Sequence, residues 1–358
     1  LTMVFPVIIV ALLQTSVGYF SSVHSHLSGS PWRLFEWLLT DVYGTGMNVL
    51  SEVLGVQMLG YPYMQRAYLA AVCIGVIGPL VGTFLVHREL SMLADTLAHT
   101  AFAGVAVGLF LNTVLSLSLS PLLTAMIVAI GTALIVELLI DHAEAYSDTS
   151  LAIVLTTGFA LGSVLITMTD GGIAVGIDAY LFGSLSTVSK ENVGLLVVMG
   201  LLISGLVTVA YRPLLYVTVD AAAARAARIN VRLYKRLMVV LTALVVVSAM
   251  QIMGVILVAA MLVVPVATAG FVAQSFKQSI LLAILAAEFA VLSGVTLAYV
   301  YGIAAGGSIV LSAATLYVIT LIMTKADIQW VFRLLPTRSG ASTDHTEQGL
   351  KVDGGERE

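Results

Sequence analysis

The sequence predicts an all-α protein, a polytopic bundle of about ten membrane-spanning helices, and three observations predict it. Hydrophobic residues make up 59% of the 358 residues and charged residues only 10%, against about 25% charged in a soluble domain. Mean hydropathy is +1.04, so polar groups cannot cover the surface and lipid must be the main solvent. Apolar runs of roughly 20 residues, long enough to cross a hydrocarbon core, recur along nearly the whole chain.

Polar, Gly and Pro punctuation places the spans near residues 3–20, 64–86, 92–111, 121–140, 150–169, 192–211, 233–251, 253–273, 278–300 and 304–323. The first lacks a basic leader and reads as a retained anchor rather than a signal peptide. Residues 21–62 then form an extracytoplasmic segment, with an interfacial helix expected from Pro31 to Leu59. The apolar block 233–273 is split on the expectation that Gln251 to Gly254 makes a tight hairpin. Residues 336–358 carry almost no apolar side chains and read as a disordered tail.

Threading the spans alternately from a cytoplasmic N-terminus leaves only Arg33, Arg66 and Lys190 outside among the Lys and Arg residues. That asymmetry is the positive-inside rule, and it puts the C-terminus in the cytoplasm. The acidic loop 141–149 also falls inside, but acidic residues contribute little to orientation.

Ionisable groups inside spans are expensive and mark function by default. Asp95 and His99 lie four residues apart in the third span and stack on one helical face. A carboxylate and an imidazole so placed can ligate one divalent metal, or form a buried ion pair that ties helices together. Glu288 lies mid-span and could be a third ligand, a gate or a packing group. Glu137 sits near a span end, where it can snorkel to the interface. Asp178 falls in a short stretch that reads as re-entrant, and Asp170 as a helix end. His24 and His26 are candidates for cation capture at the outer surface, or simply a solvated loop. The lone Cys73 excludes a thiolate cluster.

The basic segment 212–236 contains a short helix with Asp220 as N-cap, four alanines, then Arg225 and Arg228. It reads either as a loop that fixes topology or as a docking element for a cytoplasmic partner. The chain has no phosphate loop, no HExxH and no nucleophile elbow. It therefore reads as no enzyme, and ATP-driven transport would need a separate ATPase.

Four stretches resemble one family: HRELSMLADTLAHTAFAGVAVG, DTSLAIVLTTGFALG, DAYLFGSLSTVS, and VDAAAARAARINVRLY followed by MQIMGVILVAAMLVVPVATA. Together they resemble the permeases of metal-uptake ABC transporters, the zinc/manganese/iron or ABC-3 group, from about Tyr63 to Met323. The resemblance implies that Asp95 and His99 form the transmembrane metal site. It makes residues 218–230, with Asp220, Ala224, Arg225 and Arg228, a coupling helix seated in an ATPase groove. It makes Pro265 part of the helix that shapes the pore wall.

It also implies a divalent metal ion as cargo, zinc or manganese first, and no permanently bound cofactor. The partners implied are a second permease, two ATPases and an extracytoplasmic metal-binding protein, in the plasma membrane. The chain then divides into an N-terminal addition (1–62), a transport body (63–325) and a tail (336–358). Arg228 stands where the family has Gly, and Ala94 and Ala152 replace two further glycines. A proton- or sodium-coupled secondary transporter relaying through Glu288, Asp95 and His99 is the main alternative; a haem- or cobalamin-type permease is the nearest in fold.

Overall fold

A computed structural model describes residues 42–115, 120–142, 147–168, 180–184 and 190–334. Among these residues the regular structure is all helical. Helix α1 (Gly44–Leu54) ends where Gly55 turns left-handed, φ 67°, and a 3-10 turn follows over Gln57–Gly60. The helix expected up to Leu59 therefore stops short, because Gly55 takes a conformation that costs other residues.

The bundle consists of α2 (Pro62–His87), α3 (Ser91–Leu115), α4 (Pro121–His142), α5 (Ser147–Met168), α6 (Lys190–Val209), α9 (Val231–Met253), α10 (Val255–Gly270), α11 (Phe276–Tyr301) and α12 (Ala305–Leu334). Two short helices, α7 (Tyr211–Val219) and α8 (Ala221–Ala226), connect α6 to α9. Eight of the helices are long and apolar enough to cross a membrane. The ninth apolar helix, α10, has 16 residues, about 24 Å at 1.5 Å per residue. The expected span 3–20 and the tail lie outside the described residues.

Helix α2 is the centre and α5 the rim: 67% of α2's most apolar stretch is buried, against 11% of α5's. Helix α3 packs most extensively on α5 and α4. On the other side, α2 meets α10 through missing side chains and a missing donor. Pro265 has no N–H, so the Met261 carbonyl loses its helical partner. Gly78 lies against that carbonyl, and a Cβ on Gly82 would strike the Leu262 carbonyl oxygen. Such close backbone approach permits weak Cα–H···O contacts.

The α9–α10 junction differs from the expected hairpin. Gln251, Ile252 and Met253 remain in α9, and Gly254 alone makes the break at φ 79°, ψ 154°. That region of backbone space is essentially open to glycine only. Segment 180–184 packs on the junction: a Cβ on Gly183 would meet the Ile252 carbonyl, and one on Gly254 the Leu181 carbonyl. Two of the quoted sequence stretches, YLFG and MQIMG, thus form one contact.

Gly254→Ala is predicted to cost about 1–3 kcal/mol through backbone strain, with collision against Leu181 added. Gly131→Ala, where a Cβ meets nothing within 4 Å, should be neutral or gain up to about 1 kcal/mol of helix propensity. Thermal melting of the detergent-solubilised protein, followed by size-exclusion chromatography, separates the two; equal melting points would refute this account of the junction.

Candidate metal centre

Helix α3 is buried so thoroughly that its two ionisable residues stand out by exposure. Between Leu93 and Ala106 every residue is buried except Asp95 and His99. His99 Nε2 lies 3.5 Å from Asp95 Oδ1, with the two side chains 16% and 42% exposed. That separation is too long for a good N–H···O bond. It matches the spacing of two ligand atoms on one tetrahedral metal, about 3.4 Å for bonds of about 2.1 Å. The pair can therefore offer one oxygen and one nitrogen to the same cation.

Close helix contacts hold α3 in register. On α5, a Cβ on Gly158 would come within 2.7 Å of Thr100 Cγ2, and one on Gly162 within 2.8 Å of Phe102 Cδ1. That approach brings the Phe159 ring edge-on to His99, with centroids 5.2 Å apart, while Phe159 stacks on Phe102. Thr96 Oγ1 donates to the Leu151 carbonyl across the same seam. On the other flank Gly104 and Gly108 seat α4, as their GxxxG spacing predicts: a Cβ on Gly104 would lie 2.6 Å from Ala125 Cα. His99 Nδ1 is buried without a hydrogen-bond partner among the described residues.

Among the described residues no group of three His, Cys, Asp or Glu side chains converges. Glu288 does not join Asp95 and His99 in such a group. Its carboxylate presses on α2, where a Cβ on Gly75 would lie 2.7 Å from Glu288 Oε1, an oxygen buried with no hydrogen-bond partner among the described residues.

Glu137 does not snorkel. It is 6% exposed and accepts from Arg236 Nε at 3.2 Å, which ties α4 to α9. Spacing could not reveal this, because Arg236 lies 99 residues away in sequence; the available signal was a basic residue at the same end of another span. Phe159 had no signal at all. Pro265 is buried in α10 against α2. Asp178, Asp170, His24 and His26 lie outside the described residues.

The capped helix expected within 212–236 forms as its sequence predicts. Asp220 Oδ1 accepts from the Ala222 and Ala223 amides at 2.8 and 2.9 Å. These backbone bonds, Ala223's first, hold the Asp220 carboxyl below its ordinary value, with Arg225 assisting. The cap is therefore fully charged at neutral pH and lost only as pH falls through that lowered value. Ala224 is buried with Val217 and Val231.

At the other end, Ile229 N–H bonds the Ala224 carbonyl and Arg228 N–H the Arg225 carbonyl, a Schellman motif. Its left-handed position is Arg228, at φ 61°. This is the position at which the resemblance leads one to expect Gly.

Residues 60–324 match the model of the ABC 3 transport family. The manganese transport system membrane protein MntC of Halalkalibacterium halodurans is 32% identical over 263 residues, 73% of this chain and 87% of that protein. The high-affinity zinc uptake system membrane protein ZnuB of Haemophilus influenzae is 27% identical, over 71% of this chain and 95% of its own length. Among solved structures, PsaBC from Streptococcus pneumoniae in complex with Fab aligns with TM-score 0.66 at 29% identity, over 76% of this chain and 95% of that chain. An inward-facing putative metal-chelate type ABC transporter aligns with TM-score 0.60 at 18% identity, a likeness of fold.

Arg228→Gly should stabilise the protein by about 1 kcal/mol, since a non-glycine left-handed residue costs about 1–2 kcal/mol and the exposed side chain loses little packing. Asp220→Ala should destabilise α8 by removing its cap. Thermal melting of the two variants checks both signs, and a fall for Arg228→Gly would contradict the reading of φ 61°.

Proposed function

The chain belongs to the ABC 3 transport family and is the membrane-spanning permease subunit of an ABC importer for divalent metal ions, and we propose that the metal crosses at Asp95 and His99. The observation that carries this is the isolation of the pair: two donors 3.5 Å apart, the two openings in an otherwise buried stretch of helix. Imidazole binds metal through a lone pair, so His99 must be neutral, and protons compete with the cargo.

Two donors do not complete a metal's shell. A carboxylate 42% exposed on a spanning helix would also face lipid in a lone copy, at a cost of several kcal/mol. We propose that a second permease copy answers both needs, adding its own pair across a two-fold axis and giving four donors. One oxygen and one nitrogen per copy suit manganese and zinc alike, the metals named for the relatives.

Permeases of this family work with an ATPase and a substrate-binding protein; two ATPase copies, one under each permease, complete the proposal. Residues 218–230 receive the ATPase's movement. It passes along α9, through Arg236 to Glu137 on α4, and from α4 to α3 at Gly104 and Gly108. Pro265 on α10 is proposed to shape the wall of the path, and Glu288 to keep α11 against α2. Asp178 is proposed as an outer polar site. The positive charge around 212–236 supports a cytoplasmic placement for this end and for the C-terminus. A secondary transporter relaying protons through Glu288 does not fit a family energised by ATP.

Asp95→Ala and His99→Ala are each predicted to lower uptake of radiolabelled manganese or zinc at least tenfold, with unchanged protein in the membrane by immunoblot. Wild-type uptake in both variants would sink the assignment.

A further inference from the structure

A recess of about 700 Å³ opens where the docking segment meets the ends of α4 and α9. Arg225, Arg232, Lys235 and Arg236 line it, together with Glu137 and Leu138. Among the described residues, basic side chains outnumber the one carboxylate that lines it, and Arg225 and Arg232 suit an anion. Guanidinium groups bind phosphate in particular, through paired N–H donors.

Two further observations say which kind of phosphate. Glu137 is 6% exposed, and Arg236 bonds its Oε2; Oε1 is buried with no hydrogen-bond partner among the described residues. A buried acceptor left unmet is costly, so a fitting ligand carries a donor beside its negative charge. The recess also lies at the ends of two candidate spans, Pro121–Ile140 on α4 and Val231–Met250 on α9. From there an apolar strip runs along α4, with Ile127, Leu134 and Leu138 exposed 70%, 40% and 53%. Gly131, exposed between them, adds a dent in which a Cβ would touch nothing.

A basic recess continuous with an exposed hydrocarbon strip fits a lipid better than a soluble anion. We propose that it binds the phosphoglycerol headgroup of an anionic membrane lipid. The phosphate lies on Arg225 and Arg232, a glycerol hydroxyl donates to Glu137 Oε1, and an acyl chain follows the α4 strip. The bound lipid then fastens the docking segment to α4. This goes beyond the transport reading and does not depend on Asp95 or His99.

The test is native mass spectrometry of the purified permease–ATPase complex, with phosphatidylglycerol, phosphatidylethanol (the same charge without the hydroxyl), phosphatidylcholine or inorganic phosphate added. Phosphatidylglycerol should be retained at least fivefold over phosphatidylcholine and above phosphatidylethanol. Arg225→Gln with Arg232→Gln should remove that preference. Both side chains are exposed, and size-exclusion profiles confirm the fold. The paired Lys variants, which keep the charge, should retain part of the preference, and Arg66→Gln at the other end of α2 all of it.

Displacement of the lipid by inorganic phosphate would make the ligand a free anion and overturn the proposal. Absence of retained lipid from the ATPase-bound complex would give the recess to the ATPase and overturn it equally, as would a preference that survives the double Gln variant.

Discussion

The bundle depends on how closely α3 approaches α4 and α5. In lipid there is no hydrophobic gain in bringing two apolar helices together, so association rests on contact distance. Gly158 and Gly162 on one side and Gly104 and Gly108 on the other reduce that distance to backbone contact. Helix α3 has no room to rotate, and its two polar side chains must emerge at one fixed azimuth. Phe159 then closes one flank of His99. Local spacing puts Asp95 beside His99, while close packing directs both along one line.

The same economy governs the other ionisable groups. Glu137 is held in the protein by a guanidinium that arrives from α9, and α8 binds its own ends, through Asp220 at one and the Ala224 and Arg225 carbonyls at the other. Because α8 is only six residues long, these terminal bonds carry most of its definition. It is a short helix set by caps rather than by length.

What the sequence disclosed follows from the range of each interaction. Among the described residues the spans were legible because hydrophobic length is local, and so were the closeness of Asp95 to His99 and the cap at Asp220, which need only a helix and a spacing. Glu137 was misread because its partner is far away in the chain, and at a span end the local rule favours snorkelling. The hairpin at Gln251–Gly254 shrank to a single residue because Gln251, Ile252 and Met253 sustain a helix while only Gly254 can leave it. Arg228 was visible as a departure from a pattern; its left-handed backbone gives that departure a physical meaning. Neither Phe159 nor the meeting of YLFG with the α9–α10 junction could be seen without the fold.

Helix α10 reaches about 24 Å across a hydrocarbon layer of about 30 Å, and it is enclosed by α2, α3, α11 and α12. A short helix at the rim would make the bilayer thin around it. Packed among longer neighbours, it meets protein where it begins, since segment 180–184 lies against Gly254. The shortfall of about 6 Å is taken up inside the bundle, and the bilayer need not deform to meet it.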